Sequence, residues 1–341
     1  GQTYEDILHQ QLHEHTPWLV QPKNIKEVTE RINVGSYYMQ HHSLPGTVII
    51  PMVEGDVVQG VHELLDNGVE IIACMTIGSY TNPAHENRMA EIAKELIAQR
   101  GLETPVITSN EMCSVPNETE GLKTLLIQCY IQETARKALL SVEDAARQEG
   151  YNYDLMTLLG YGAAATVRYP KLAEAIASGP TGGLLGGKFL SEFLELPNMI
   201  CWDLGCTTCD VGLIAGGLLP VNKSPEFAAH KVRMPMIAID CLGAGCSHVV
   251  HADAASGRIT IGPESVKADL GTMNATDEVT IGDIDLTLGY VNPDYYLGGT
   301  IEVNKERARE ELTKRVAEPL GQDVYDLSLK ILDLLHDKVV N

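Results

Sequence analysis

The run Asp203-Leu204-Gly205-Cys206-Thr207-Thr208-Cys209-Asp210 brackets a short Gly and Thr stretch with two carboxylates. Apolar segments of strand length flank it, Asn198 to Trp202 before and Val211 to Ile214 after. A turn of this kind between antiparallel strands presents backbone N–H groups and hydroxyls to a phosphate, as an anion nest does. A carboxylate at each end can hold Mg²⁺, directly or through water, and so neutralise charge on a transferring phosphoryl group. The pattern reads as a phosphate-binding hairpin; the same spacing also suits an ordinary tight hairpin with an Asp at either end.

The thiols offer a rival of another class. Cys201, Cys206, Cys209 and Cys241 read C-x4-C-x2-C followed by a distant Cys, the spacing of plant-type [2Fe–2S] ligands. Cys206 and Cys209 would also suit Zn²⁺. Against both, Cys201 lies in an apolar run ending at Trp202, where a thiol acts as a small buried hydrophobe. Asp203 would also add negative charge beside four thiolates. Structural thiols are therefore the favoured reading and no metal ligand is assigned, with an iron–sulfur or zinc protein as the alternative.

The histidines divide similarly. His9 and His13 would share a face if their segment were helical, but Pro17 and the polar surroundings of His9, His13 and His15 favour a mobile surface. The adjacent His41 and His42 would point to opposite faces of a strand and read as surface. In Asn82-Pro83-Ala84-His85-Glu86 a helix begins, and Glu86 suits the positive end of its dipole, so capping is preferred to catalysis. His248 and His251 read either as a solvated strand end or as ligands and their supports.

These residues need elements to position them. Val57, Val58, Val61, Leu64 and Leu65 recur at helical spacing between Gly55 and Asn67, and Gly68 stops that helix. A strand-length apolar run, Val69 to Ile77, a helix from His85 to Gln99 and a strand from Pro105 to Ser109 follow, the rhythm of an α/β domain with parallel pairing. A long helix over Thr119 to Gln148 leads to a short strand, Tyr153 to Leu159. Beyond Gly160 glycines cluster where the pattern switches between strand and helix, as in Ser178 to Gly183, which opens an apolar helix over Leu184 to Leu194. Strands near Met199 to Leu204, Asp210 to Ile214, Met234 to Asp240 and Arg258 to Ile261 predict a second α/β domain, closed by helices over Lys305 to Ala317 and Tyr325 to Val339. The expected division is a partial N-terminal α/β domain over 1–160 and a C-terminal domain over 161–341 that carries the hairpin.

Lys and Arg number 25 against 46 Asp and Glu, a net charge of −21, and 44% of the residues are hydrophobic. That apolar share fills a core, while the acidic balance argues against nucleic acid or an anionic membrane as a main partner, because phosphates meet net repulsion. No apolar run reaches the roughly 18 residues needed to cross a bilayer. The polar N-terminus lacks the features of a signal peptide, so a cytoplasmic address is expected. Eight cysteines are too few for a disulfide scaffold in a chain of 341 residues. A first residue of Gly rather than Met reads as a processed, tagged or fragmentary chain.

The order of motifs resembles the hydantoinase A and 5-oxoprolinase superfamily: SGPTGG through DLGCTTCD, LGAG at Leu242 to Gly245, GPES at Gly262 to Ser265 and LGYVNPDYYLGG at Leu288 to Gly299. Upstream, SYTNPAHE at Ser79 to Glu86 is similar to that family's strand-to-helix loop. GGLLGGKFLSEFLELPN, around Lys188, is most similar to the hydantoinase A-like subunit of acetone and acetophenone carboxylases.

The resemblance implies an actin-like two-domain α/β fold of the kind shared by sugar kinases and Hsp70 chaperones. It implies use of ATP and Mg²⁺ to activate a carbonyl oxygen or bicarbonate by phosphorylation. The positions carried over are Asp203, Gly205, Thr207, Thr208 and Asp210 for the phosphate hairpin, with Gly243 and Gly245 in the glycine loop; no catalytic residue is assigned. Where the family pattern reads D-x-G-G-T-x-x-D this chain has Cys206, whose Cβ would strain a turn needing positive φ. Cys246, Ser247 and His248 replace the small residues expected after the loop. An earlier D-x-G-G-T-x-T-D loop and a later S-Y-G-G-A-G-P-like segment are not found, so the fold is expected to be incomplete relative to the family. The expected function is a subunit of an ATP-dependent ketone carboxylase complex, structural or substrate-shaping, with a degenerate ATP site and no activity in isolation. Its expected partners are a longer hydantoinase A-like subunit, a hydantoinase B-like subunit, a small ketone and bicarbonate. An ATP-dependent amidohydrolase of the hydantoinase or 5-oxoprolinase type is the alternative.

Overall fold

Residues 18–35, 44–227 and 230–340 are described by a computed structural model of the chain. His9, His13, His15, His41 and His42 lie outside the described residues. The chain divides into two compact units, Gly1–Thr181 with Val221–Ile237, and Gly182–Pro220 with Ala238–Asn341.

In the first unit β1 (Arg31–Ile32) and β2 (Val48–Ile50) pair antiparallel. Helix α1 (Glu54–Asp66) follows, and Gly68, at φ +72°, leaves it in the left-handed conformation its position foretold. Strand β3 (Ile72–Cys74), helix α2 (Ala84–Gln99) and strand β4 (Val106–Thr108) then form a crossover unit, with Ile72 opposite Val106 and Cys74 opposite Thr108 in parallel register. The helical face of Val57, Val61 and Leu65 buries against Ile72, Cys74, Ile92, Ala93 and Ile97, which makes one core. A short helix α3 (Ser109–Met112) precedes α4 (Glu118–Gln148), whose start is fixed by the Asn117 side chain accepting from the Glu120 N–H. Strands β5 (Met156–Leu158) and β6 (Ala164–Thr166) form a hairpin, Met156 opposite Thr166. That hairpin spans residue 160, so the unit runs past the expected boundary there.

Helix α5 (Ser178–Phe193) begins earlier than its apolar stretch suggests, because Ser178 to Gly183 forms its first turns rather than a loop before it. Strands β7 (Met199–Leu204) and β8 (Cys209–Ile214) follow. The chain then returns to the first unit through β9 (Val221–Asn222), β10 (Glu226–Phe227), β11 (His230–Lys231) and β12 (Met236–Ile237).

In the second unit β13 (Ile239–Leu242) joins β8 and β7 in a three-stranded sheet ordered β13-β8-β7, antiparallel throughout. Helix α5 packs closely on one face of it. A Cβ on Gly187 would sit 2.3 Å from Cys201 Sγ, and one on Gly212 would sit 2.2 Å from Leu184 Cδ2, so only glycine permits the approach. Strands β14 (His248–Asp253) and β15 (Arg258–Ser265) form a long antiparallel pair. Helix α6 (Ile281–Leu288) starts with a capping box in which Thr280 and Asp283 satisfy each other's backbone N–H groups. Helix α7 (Lys305–Leu312) runs on through one wide turn, Thr313–Ala317, into α8 (Glu318–Leu320), and α9 (Val324–Val340) ends the described chain. Cys209, Val250, Ile281, Ile284, Leu312, Val316, Leu327 and Ile331 form the main core of this unit. The second unit's strand pairs are antiparallel, unlike the β3–β4 pair of the first. Among the described residues no helix is long and apolar enough to cross a membrane.

Candidate functional site

Strands β7 and β8 run in register up to a four-residue turn. Asp203 lies opposite Asp210 and Leu204 opposite Cys209, and the turn closes with the Gly205 N–H donating to Thr208 O at 2.8 Å. Alternation along antiparallel strands puts Asp203 and Asp210 on the same face. The Thr208 hydroxyl donates to Asp210 Oδ2 at 3.0 Å, while Asp210 Oδ1 is buried without a hydrogen-bond partner. The backbone N–H groups of Cys206, Thr207 and Thr208 donate to no other described residue, and Cys206 and Thr207 are exposed. Two carboxylates and three open donors therefore share one turn, a set that suits a divalent cation and phosphate oxygens.

The glycine loop seals the turn from behind. Cys246 N–H donates to Gly205 O at 3.2 Å, and the Ser247 N–H and hydroxyl both donate to Cys206 O, at 2.8 and 2.6 Å. A Cβ on Gly245 would lie 2.3 Å from Cys206 O, so this contact needs glycine. Gly243 sits two residues earlier, its carbonyl accepting from Lys338 Nζ at 2.6 Å. The structure thus brings together Asp203, Gly205, Thr207, Thr208 and Asp210, and sets Gly243 and Gly245 in the loop behind them. One expectation needs correction: Cys206 is not among the residues with positive φ, so its Cβ adds no backbone strain.

Strand register argues against the four-thiol iron–sulfur alternative. Cys201 opposes Gly212 and Cys241 opposes Asp210, which places both on the Asp203 face, whereas Cys209 alternates to the other face and is buried beside Ala244 and Val250. Four thiols so divided do not converge on one cluster. Among the described residues no group of three or more His, Cys, Asp and Glu is placed to hold a metal ion. Burial pushes the Cys241 and Cys246 thiols up to about 12, with nearby negative charge adding to the effect.

His85, His248 and His251 are structural or peripheral. His248 is buried, its Nδ1 3.1 Å from Gly245 O, where it props the glycine loop. His251 is exposed and meets Glu264 at 3.3 Å. His85 is buried against Glu30, Nδ1 to Oε2 2.8 Å, and Glu86 is fully buried. Glu86 does more than favour a dipole. Its carboxylate accepts from Thr76 N–H at 2.7 Å, Ser109 Oγ at 2.6 Å and Asn110 N–H at 3.0 Å, tying the loop after β3 to the end of β4.

A cavity of about 310 Å³ opens beside β7, lined by Trp202, Leu204, Cys246, Asp285, Tyr290 and His336 among others. Burial pushes the Asp285 carboxyl up to about 6, and His336 pulls weakly the other way. Neither residue was singled out from the sequence: His336 lies on the expected last helix with no motif around it, and Asp285 lies on α6, which went unread. The signal that marks it is Thr280-Ile281-Gly282-Asp283 before an apolar run, a capping-box pattern with Asp in the acidic place.

The family these features point to is shown by comparison. The chain matches the hydantoinase/oxoprolinase family over residues 122–341 and the N-terminal region of the same family over residues 2–97. This chain belongs to the hydantoinase/oxoprolinase family. It is 30% identical to the acetone carboxylase beta subunit of Xanthobacter autotrophicus, over 98% of this chain and 46% of that one. It is 27% identical to the acetophenone carboxylase gamma subunit of Aromatoleum aromaticum, over 87% of this chain and 41% of that one. The nucleotide-free structure of acetone carboxylase superposes with a TM-score of 0.85 over 98% of this chain and 46% of its counterpart. The chain spans about half the length of the curated relatives it matches.

Proposed function

We propose that this chain works inside a multi-subunit, ATP-dependent carboxylase of a small ketone, where it supplies an actin-like scaffold with a reduced phosphate-facing hairpin. The similarity to subunits of acetone and acetophenone carboxylases supports the reaction class. The observation that carries the hairpin's role is the pairing of Asp203 with Asp210 beside three open N–H groups, with one Asp210 oxygen buried and unpartnered. Asp203 and Asp210 would hold Mg²⁺; the N–H groups of Cys206, Thr207 and Thr208, with the Thr207 hydroxyl, would face phosphate oxygens. ATP, when bound, supplies the phosphoryl group that turns a carbonyl or bicarbonate oxygen into a leaving group.

One turn offers few donors, and a net charge of −21 opposes a triphosphate. The isolated chain is therefore inactive and holds Mg·ATP weakly. The full nucleotide site belongs to a longer hydantoinase A-like subunit, and the carboxylation site involves a hydantoinase B-like partner. Calorimetric titration of the isolated chain with Mg·ATP tests this. No saturable heat at concentrations up to about 1 mM, a binding energy weaker than about 4 kcal/mol, is expected. Micromolar binding that Asp203→Ala abolishes would overturn the scaffold reading.

A further inference from the structure

Two thiols far apart in sequence meet where the hairpin turn touches the glycine loop. Cys246 Sγ donates its S–H toward Cys206 Sγ at 3.7 Å, and the contact is framed by rigid backbone. Cys246 N–H is bonded to Gly205 O, and the Ser247 N–H and hydroxyl are bonded to Cys206 O. Each half of the pair is therefore anchored by hydrogen bonds to the other half's segment. The two sulfurs differ in access: Cys206 is exposed, and Cys246 is half-buried along the cavity wall. The sulfurs need approach each other by only about 1.7 Å to reach bonding distance. The other paired candidates do not match this, since Cys209 is buried in the core and Cys201 is packed against Gly187 of α5.

We propose that Cys206 and Cys246 form a dithiol modification site, in which exchange with a small-molecule disulfide closes a bridge between the hairpin turn and the glycine loop. The exposed Cys206 reacts first. Its thiolate attacks one sulfur of R–S–S–R, a Cys206–S–R bond forms, and R–S⁻ leaves and takes up the proton that Cys206 released. Cys246 then gives its proton to solvent and attacks the Cys206 sulfur, expelling the second R–S⁻, which is protonated in turn. Two protein thiols are oxidised and one small disulfide is reduced to two thiols. The hydrogen bond from Cys246 supports this order: it supplies a donor to the Cys206 thiolate, while burial and the neighbouring negative charge keep Cys246 protonated until Cys206 is capped. The acidic surroundings favour a neutral or cationic disulfide over an anionic one.

The full chain is incubated with bis(2-hydroxyethyl) disulfide, a neutral reagent, then alkylated, digested and mapped by mass spectrometry. Expected for the wild type is the loss of two alkylatable thiols and a linked peptide joining Cys206 to Cys246, reversed by dithiothreitol. Cys246→Ser should stop at a mixed disulfide on Cys206, and Cys206→Ser should leave Cys246 free to alkylate. The proposal is overturned if the wild type accumulates the same stable adduct on Cys206 as Cys246→Ser does. A bridge to another cysteine, or two thiols that stay alkylatable in excess reagent, overturns it equally.

Discussion

Asp203 and Asp210 face each other across neighbouring strands, two carboxylates in direct register at the mouth of a tight turn. Like charges so placed repel, typically by a few tenths of a kcal/mol to about 1 kcal/mol. A cation placed between them would relieve that repulsion. Asp203→Asn is therefore expected to stabilise the isolated chain slightly, by about 0.5 kcal/mol at low salt. Urea unfolding at low and high ionic strength checks it, because screening should erase the gain. A loss of stability at low salt would show that the pair is not repulsive.

Glu86 supports a different expectation. Its fully buried carboxylate satisfies two N–H groups and the Ser109 hydroxyl at the open ends of β3 and β4. Removing it leaves those donors buried and unmet. Glu86→Ala should cost about 3–5 kcal/mol, and Glu86→Gln, which keeps an acceptor oxygen, roughly 1–3 kcal/mol. Denaturant midpoints compared at constant slope measure both; an alanine variant within about 0.5 kcal/mol of wild type would show that solvent reaches the site.

How much of this was legible depends on where the information lies. α1 with its Gly68 stop, α2 and β4 were readable because their apolar periodicity and end signals are local. The hairpin was readable because Asp, Gly and Thr residues sit within eight positions in sequence. The role of Glu86 was not, since its partners Thr76, Ser109 and Asn110 come from two separate strand ends. The contact of Cys206 with Cys246 was equally hidden: both stood out as departures from a family pattern, but only the folded loop brings them together. The cysteine spacing left the iron–sulfur alternative open beside the favoured structural thiols, because spacing carries no record of which face of a strand a thiol occupies.

Glu143 of α4 makes the first unit acid-sensitive. It is fully buried, and hydrogen bonds from Arg168, the Leu155 N–H and Arg147 hold its carboxyl at about 2, well below its ordinary 4.5. A carboxylate whose pKa falls on folding stabilises the native state above its unfolded pKa, and that contribution is lost as pH drops toward the folded value. The loss should therefore run from about pH 4.5 down to about 2. Arg168→Ala removes the largest cause, so its cost is expected to be full above about pH 4.5, pH 7 included, and to shrink as pH falls toward about 2, while the acid transition of the less stable variant moves to higher pH. Circular dichroism across an acid titration reads the shift, and coincident curves for variant and wild type would rule the linkage out.

Asp285, on the cavity wall, carries the opposite sign. Burial raises its carboxyl from 3.8 to about 6, so the folded chain binds a proton that the unfolded chain releases between those values. Its contribution to stability is therefore fully present below about pH 3.8 and is lost as pH rises through about 6, where a charge must be kept in an apolar cavity. Asn at this position is neutral at every pH and mimics the protonated acid. Asp285→Asn should then match wild type near pH 4 and exceed it at pH 8 by on the order of 1 kcal/mol, since partial exposure and His336 soften the penalty. Urea midpoints at the two pH values decide it. A gain of equal size at both would mean that packing rather than ionisation is responsible, and a loss at pH 8 would mean that the carboxylate is held by a favourable partner in the cavity.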